Sequence, residues 1–182
     1  MVLHNAFNNF PIFYLQDFTL RELSIHDAEN FLSYILNPNV NKFLSENDIP
    51  KDEEEAKREV LYWSRLFYQK SSLYWGIANK QNKLIGSCGF NSLSFTHKRG
   101  ELSYDLDFEY WGQGIMTRAL KKICDFALNE LKLQRIQATV AEDNIRSLKL
   151  LMNLGFEKEG LMKNYGILHK RKKDFYMCSI TK

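Results

Sequence analysis

Cysteine and proline are both scarce in this chain of 182 residues. Its three cysteines, Cys88, Cys124 and Cys178, lie far apart and form no CxxC pair, which argues against a disulfide framework and against a zinc or redox motif. We expect buried structural thiols instead. All three prolines fall within the first fifty residues, so the rest of the chain can form helices and strands without that interruption.

Long apolar runs and a dominant charge are missing as well. No apolar run approaches the ~20 residues that a membrane-spanning helix needs. The first sixteen residues carry no charged side chain, but Asn8 and Pro11 interrupt the apolar centre that a signal peptide requires. The 25 Lys and Arg residues and 22 Asp and Glu residues give a net charge of only +3. The sequence therefore predicts a cytoplasmic protein with neither a membrane nor a specific nucleic-acid partner.

The composition is that of a folded globular protein. Hydrophobic residues make up 45% of the chain and charged residues 26%, and its 13 Phe, 9 Tyr and 3 Trp supply bulky side chains for a core. Because a domain typically has ~150 residues, the length predicts one domain over residues 1–182.

The order of hydrophobic patterns predicts a mixed, mostly antiparallel sheet flanked by helices, of the α/β or α+β class. Strands are predicted at residues 12–23, 73–78, 84–95, 101–107, 135–140, 156–161 and 174–180, and helices at residues 24–36, after Pro50, at about 113–131 and after Asn144. The three strands between residues 73 and 107 follow one another with short turns, which indicates an antiparallel meander.

The segment from Tyr104 to Leu120 combines a strand, a turn and a helix, and the turn reads Tyr-Trp-Gly-Gln-Gly. Paired glycines let backbone amides approach a bound group closely, and the first amides of a helix attract anions, so a diphosphate suits this turn. The alternative is that the glycines only permit a tight turn. A Walker A loop does not occur, and a dinucleotide fingerprint would need a glycine at Thr117.

Residues 101–107 alternate between a polar and an apolar face. Leu102, Tyr104 and Leu106 form the apolar face, which we expect to be buried. Glu101 begins the polar face, which must meet either water or a site.

The residues from Glu101 to Ala119, together with Asn-Ile-Arg-Ser at 144–147 and Leu-Gly-Phe-Glu-Lys-Glu-Gly at 154–160, resemble the GNAT superfamily of N-acetyltransferases, specifically its RimJ/RimL-like ribosomal-protein branch. The resemblance runs from Phe18 to Tyr176. It implies a splayed sheet in which the cosubstrate acetyl-CoA lies between the fourth and fifth strands, with its pyrophosphate on the amides of the glycine turn.

The resemblance also implies a set of cofactor-binding residues. The family's R/Q-x-x-G-x-G/A pattern falls on residues 111–116, where only Gly114 matches the strict form, because Trp111 replaces the polar first residue and Met116 the small last one. Binding through backbone amides tolerates this departure. Cofactor contacts are expected at Leu106, Phe108, Gly112, Gln113, Gly114, Met116, Thr117 and Asn144. Leu106 and Phe108 are expected to pair with the pantetheine through their strand backbone.

Two catalytic residues are implied for direct acetyl transfer in a ternary complex. Glu101 is the candidate base for the amine, and Ser147 is the candidate acid for the departing thiolate. Backbone amides near Leu106 would hold the oxyanion. The alternatives are a solvated strand-end carboxylate for Glu101, a first-turn helix residue for Ser147 and a plain helix cap for Asn144.

The acceptor is left open by the sequence. The amine at a protein or peptide N-terminus is the usual acceptor of this branch, whereas polyamines, amino acids or aminoglycosides are acceptors on the same scaffold, and a non-catalytic acyl-CoA-binding module is the alternative function. The protein is expected to be a monomer or a homodimer. No metal site is expected, because the scattered histidines His4, His26, His97 and His169 flank no acidic or cysteine cluster.

Overall fold

The computed structural model describes residues 7–182 and contains one eight-stranded sheet. The strands are β1 (Phe13–Tyr14), β2 (Phe18–Glu22), β3 (Tyr74–Asn79), β4 (Leu84–Ser94), β5 (Arg99–Leu106), β6 (Arg135–Ala141), β7 (Glu157–Leu168) and β8 (Arg171–Thr181). The α-helices are α1 (Ala28–Ile35), α2 (Pro38–Asn41), α3 (Glu53–Tyr68), α4 (Ile115–Asn129) and α5 (Ile145–Asn153). Short 3₁₀ helices cover Ile25–Asp27, Glu46–Asp48 and Phe108–Tyr110.

The sheet opens between β5 and β6. The strand order is β1-β2-β3-β4-β5-β6-β8-β7, and every neighbouring pair is antiparallel except β5 and β6, which are parallel. These two strands pair only from Arg99 to Glu101 and from Arg135 to Gln137, although β5 continues to Leu106 and β6 to Ala141. The predicted splayed, mostly antiparallel sheet is confirmed, and its opening lies between the fourth and fifth strands predicted from the sequence.

The two ends of the sheet differ from the prediction. The single strand predicted at residues 12–23 is split, because the Leu15 amide donates to the Phe18 carbonyl over 2.9 Å and folds β1 back along β2. The last hairpin is longer than predicted, since β7 and β8 pair as far as Leu168 and Arg171. Most of β7 is exposed, so no apolar pattern marks this extension; its backbone hydrogen bonds to β8 stabilise it.

The two faces of the sheet are covered by different helices. On one face α4 and α5 pack on a core that includes Trp75, Phe90 and Ile136, and on the other face α1 and α3 cover Leu23 and Leu84. The three cysteines are buried and free, as predicted. No helix within residues 7–182 is long and apolar enough to span a membrane.

Candidate functional site

A cavity of about 750 Å³ occupies the opening between β5 and β6. Residues 101–106 of β5 and 138–141 of β6 form its walls, and residues 143–147 at the start of α5 complete one side. Of the residues predicted as a site, all except Phe108 and Gln113 line this cavity. The structure therefore brings the predicted residues from three separate segments of the chain together.

Helix α4 begins at the cavity without a side-chain cap. Its N-cap is Gly114, which has a φ of 70°, and Gly112 in the same turn has a φ of 79°; both values favour glycine. A Cβ at Gly112 would meet nothing within 4 Å, so the space above this turn is open. By contrast, the Asp52 side chain caps α3 by accepting from the Glu55 amide. The first amides of α4 are free for an anion, and the helix dipole adds to their attraction, so the turn fits a diphosphate.

Gln113 lies in this turn, but its side chain stays outside the cavity. Its Nε2 donates to the Glu109 carbonyl over 3.1 Å, and its own carbonyl accepts from Arg118 Nη1 over 3.3 Å. These bonds brace the turn. Any contact of Gln113 with a bound anion therefore depends on its backbone amide.

The expectation that Phe108 extends the strand is wrong. Strand β5 ends at Leu106, and Phe108 begins a 3₁₀ helix because Asp107 accepts hydrogen bonds from the Glu109 and Tyr110 amides, at 3.2 Å and 3.0 Å. The Phe108 ring is 42% exposed and packs edge-on against the Trp111 ring, with centroids 5.0 Å apart. Its role in the structure is to support Trp111.

The backbone of β5 faces the opening at Leu106. The Asp107 amide donates to the Ile85 carbonyl of β4 over 2.8 Å, so the alternation along a strand directs the backbone groups of Leu106 and Tyr104 the other way. The Leu106 carbonyl accepts from Trp111 Nε1 over 2.8 Å, which confirms this direction. Because β6 has diverged here, the amides of Tyr104 and Leu106 have no partner in that strand and are available to an extended ligand.

Tyr104 and Ser147 form a hydrogen bond inside the cavity. Their hydroxyl oxygens lie 2.6 Å apart, and Ser147 stands in the first turn of α5, where its amide donates to Asn144 Oδ1 over 3.2 Å. Asn144 is thus the N-cap of α5. The capping bond uses its Oδ1, so its Nδ2 is not needed for the cap. Burial raises the pKa of the Tyr104 phenol well above its ordinary value, so the phenol stays neutral. Sequence reasoning placed Tyr104 on the buried face but missed its partner; a buried tyrosine hydroxyl generally needs one.

Asp105 is a second residue whose part in the site was missed. Its carboxylate accepts hydrogen bonds from the Tyr34 hydroxyl at 2.6 Å, from the Ser87 hydroxyl at 2.7 Å and from the Ser87 amide at 3.1 Å. Burial raises the pKa of this carboxyl above 3.8, against the lowering effect of the hydrogen bonds. The network ties α1 to β4 and β5 and borders the cavity.

Glu101 lies at the closed end of the opening. It is paired with Gln137 in the last β5–β6 pair, and it is half-buried. Odd and even residues of a strand face opposite sides, so Glu101 shares a side with Asp105, whereas Tyr104 faces the side of Ser147. Three residues of strand separate Glu101 from Tyr104 by roughly 10 Å. Glu101 and Ser147 therefore approach the cavity from different faces of the sheet.

Another part of the cavity wall comes from α2, the residues after it and the β7–β8 hairpin. Residues Asn39, Lys42, Phe43 and Leu44 line it, together with Phe175 of β8. His169 at the tip of the hairpin hydrogen-bonds to the Lys42 carbonyl over 3.0 Å, and Lys173 pairs with Asp143 over 2.6 Å. Part of the charge on this basic hairpin is thus engaged within the protein.

A metal centre is not indicated by the arrangement. Within residues 7–182 no three His, Cys, Asp or Glu side chains are grouped so that they could hold a metal ion. His4 lies outside the described residues.

Comparison with known proteins identifies similar sequences and folds. A family model described as an acetyltransferase (GNAT) domain matches residues 17–157. An uncharacterized N-acetyltransferase of Bacillus licheniformis is 33% identical over 170 residues, covering 93% of this chain and 95% of that protein. A ribosomal-protein-S5-alanine acetyltransferase from Vibrio fischeri has a similar crystal structure, with a TM-score of 0.83, 26% identity and coverage of 94% and 96% of the two chains. RimL, a ribosomal α-N-protein acetyltransferase in complex with coenzyme A, has a TM-score of 0.86 at 21% identity, with 94% and 98% covered.

Proposed function

The chain belongs to the GNAT family of N-acetyltransferases, and from that membership we propose that it transfers the acetyl group of acetyl-CoA to the amine at the N-terminus of a protein or peptide, by direct attack in a ternary complex. The observation that carries the proposal is the uncapped start of α4 at the mouth of a cavity that leads to Glu101 on one face and to Ser147 on the other.

Several parts of the cavity suit acetyl-CoA. The amides that follow Gly112 and Gly114 suit the diphosphate, and the outward backbone of Tyr104 and Leu106 suits the amides of the pantetheine arm. Asn144 keeps an amide donor for the same arm while its oxygen caps α5. Acetyl-CoA supplies the thioester that an amine can attack.

The reaction needs two proton transfers, and the residues proposed for them lie on opposite sides of β5. As the N–C bond forms and the C–S bond breaks, Glu101 accepts the proton that leaves the amine, directly or through water, and Ser147 provides the proton that the sulfur gains. The hydrogen bond to the Tyr104 hydroxyl holds Ser147 in place. Through this bond Ser147 can regain the proton that it gives to the sulfur, with Tyr104 replenished from solvent. Backbone amides of β5 near Leu106 stabilise the negative charge on the acyl oxygen.

An N-terminal amine is an acceptor that a site with one candidate base, Glu101, can deprotonate. An α-amine with a pKa of 7.7–8.0 is roughly 10–20% neutral at pH 7, whereas a lysine amine is neutral in about 0.04% of molecules. A single half-buried carboxylate is therefore sufficient to deprotonate an α-amine. The similar structures named above include two acetyltransferases of ribosomal proteins, and one of them is described as an α-N-protein acetyltransferase.

The test is a comparison of acceptors with the purified protein, acetyl-CoA and a reagent for free thiol. A peptide that starts with alanine is compared with the same peptide blocked at its N-terminus but carrying an internal lysine, and with spermidine. Thiol release with the free peptide alone is expected. Release with spermidine alone would overturn the acceptor class, and acetyl-CoA binding without release for any amine would point to a non-catalytic binding module.

A further inference from the structure

The guanidinium of Arg146 stacks on the ring of Trp111. The guanidinium carbon lies 4.1 Å from the ring centroid, and both residues line the cavity. Trp111 belongs to the turn before α4, and Arg146 belongs to the first turn of α5. The contact therefore bridges the two walls of the opening at the end where the glycine turn lies.

Trp111 is a fixed platform for this cation. Its indole Nε1 donates to the Leu106 carbonyl over 2.8 Å, and Phe108 packs against its edge. The indole has one N–H group, which this bond uses. Trp111 cannot donate a hydrogen bond to a phosphate, in contrast to the Arg or Gln that the family pattern places at this position.

The donors of Arg146 are unused within residues 7–182. Its side chain is exposed and has neither an ion pair nor a hydrogen bond to another described residue. A guanidinium that lies over an aromatic ring leaves its N–H groups free, and their planar fork can bind phosphate oxygens. The Arg146 side chain is exposed, but its contact with the Trp111 ring restricts it to a position beside the cavity.

Other cations are not placed for this role. Arg118 stands one turn into α4, but Asp17 pairs with it over 2.6 Å, and it also donates to the Gln113 carbonyl. Among the described cavity-lining residues, the second cation is Lys42, which follows α2 and whose carbonyl is hydrogen-bonded to His169 at the tip of the β7–β8 hairpin. Within residues 7–182, Arg146 is thus a cation next to the glycine turn that has no carboxylate partner.

We propose that Arg146, held on Trp111, binds a phosphate group of acetyl-CoA and replaces the side-chain donor that the family pattern places at position 111. The inference rests on the proposed function. It accounts for the tryptophan at position 111, because an aromatic platform there positions a cation that comes from the neighbouring helix. The phosphate charge would then be shared between Arg146 and the amides of the glycine turn.

The test compares two ligands by calorimetry: acetyl-CoA, and acetyl-pantetheine, which lacks the diphosphate and the nucleotide. Arg146→Gln is expected to weaken acetyl-CoA binding roughly 10- to 100-fold, the range for a charge-assisted hydrogen bond. It should leave acetyl-pantetheine binding unchanged. Arg146→Lys keeps the charge without the planar fork, so an intermediate loss is expected. Lys149→Gln, an exposed position on the same helix that does not line the cavity, is the matched control.

The outcomes separate the inference from the proposed function. Unchanged acetyl-CoA affinity in Arg146→Gln would overturn the inference, and so would an equal loss for both ligands, which would show that Arg146 acts through the fold of α5. A wild-type protein that binds neither ligand would overturn the proposed function itself. Trp111→Leu gives a second readout: removal of the platform should weaken acetyl-CoA binding while Arg146→Gln adds little to it.

Discussion

The hydroxyl oxygens of Tyr104 and Ser147 lie 2.6 Å apart and join β5 to the first turn of α5 across the opening of the sheet. A serine hydroxyl has one proton and two acceptor positions. When the neutral Tyr104 phenol donates to it, the Ser147 proton is free to point into the cavity. The proposed acid therefore has an orienting partner on the opposite wall.

Removal of either hydroxyl should reduce turnover more than binding. Ser147→Ala is expected to lower kcat by ~10²- to 10⁴-fold with little change in acetyl-CoA affinity. Tyr104→Phe keeps the packed ring and is expected to lower kcat by a smaller factor. In the double variant the tyrosine change should add almost nothing, because the pair acts as a unit. Steady-state kinetics that show wild-type turnover in Ser147→Ala would remove Ser147 from the mechanism.

Gly114→Val should weaken acetyl-CoA binding. At a φ of 70° a β-branched residue is strained, and its side chain would crowd the amides that start α4. The comparison is Gly160→Val in β7, where no positive φ occurs and a Cβ meets nothing within 4 Å. Calorimetry is expected to show a clear loss of affinity for the first variant and none for the second. Equal affinity in both would show that the turn does not hold the diphosphate.

Two substitutions at Asn144 can separate helix capping from ligand contact. Aspartate caps a helix as well as asparagine does, but its side chain lacks the amide donor. Asn144→Asp is therefore expected to keep the unfolding free energy and to weaken acetyl-CoA binding, whereas Asn144→Ala should also lose about 1 kcal/mol of stability. Denaturant unfolding and calorimetry measure the two effects. If Asn144→Asp binds normally, Asn144 is a cap and nothing more.

Glu101→Gln should make the rate depend on how much of the amine is already neutral. With an α-amine peptide, the variant's rate is expected to rise with pH and to level off about one to two pH units above neutrality. A lysine acceptor would still show a rising rate there, because its pKa is roughly 2.5 units higher. Glu130→Gln, at the exposed end of α4, serves as the control. A pH–rate profile in Glu101→Gln identical to that of the wild type would mean that water or the backbone removes the proton.

Burial of Asp105 should make the contribution of this carboxyl to the protein's stability fall as the pH rises from acid values. Its pKa is raised above 3.8 in the folded state, so between the two values the folded protein holds more protons than the unfolded chain. The contribution of Asp105 to stability therefore falls as the pH rises through this interval and is constant above it. Asp105→Asn should abolish that fall, as measured by urea unfolding at a series of pH values. Ser87→Ala, which removes a hydrogen bond that lowers the pKa, should extend the interval upward.

Local features of the site were predictable from the sequence. The turn with Gly112 and Gly114, the start of α4 and the Asn144 cap depend on residues within one turn of each other, and the structure has all three. The antiparallel meander was predictable too, because short turns separate strongly patterned strands. The placement of Phe108 in the strand was wrong, since the hydrogen bonds of Asp107 end the strand and no hydrophobic pattern reveals such a cap.

By itself the sequence determined which local motifs form and the family to which they belong. The tertiary structure alone decided which side chains meet. Tyr104 and Ser147 are 43 residues apart, and Tyr34 and Asp105 are 71 apart, and Arg146 reaches Trp111 from a different helix. The Tyr104–Ser147 and Arg146–Trp111 contacts span the space that β5 and β6 leave where they diverge after three paired residues, whereas Tyr34 reaches Asp105 from α1 on the other face of the sheet. The polar alternation of β5 has a clear period, but only the packing of helices against both faces decides that Asp105 is half-buried and hydrogen-bonded rather than solvated.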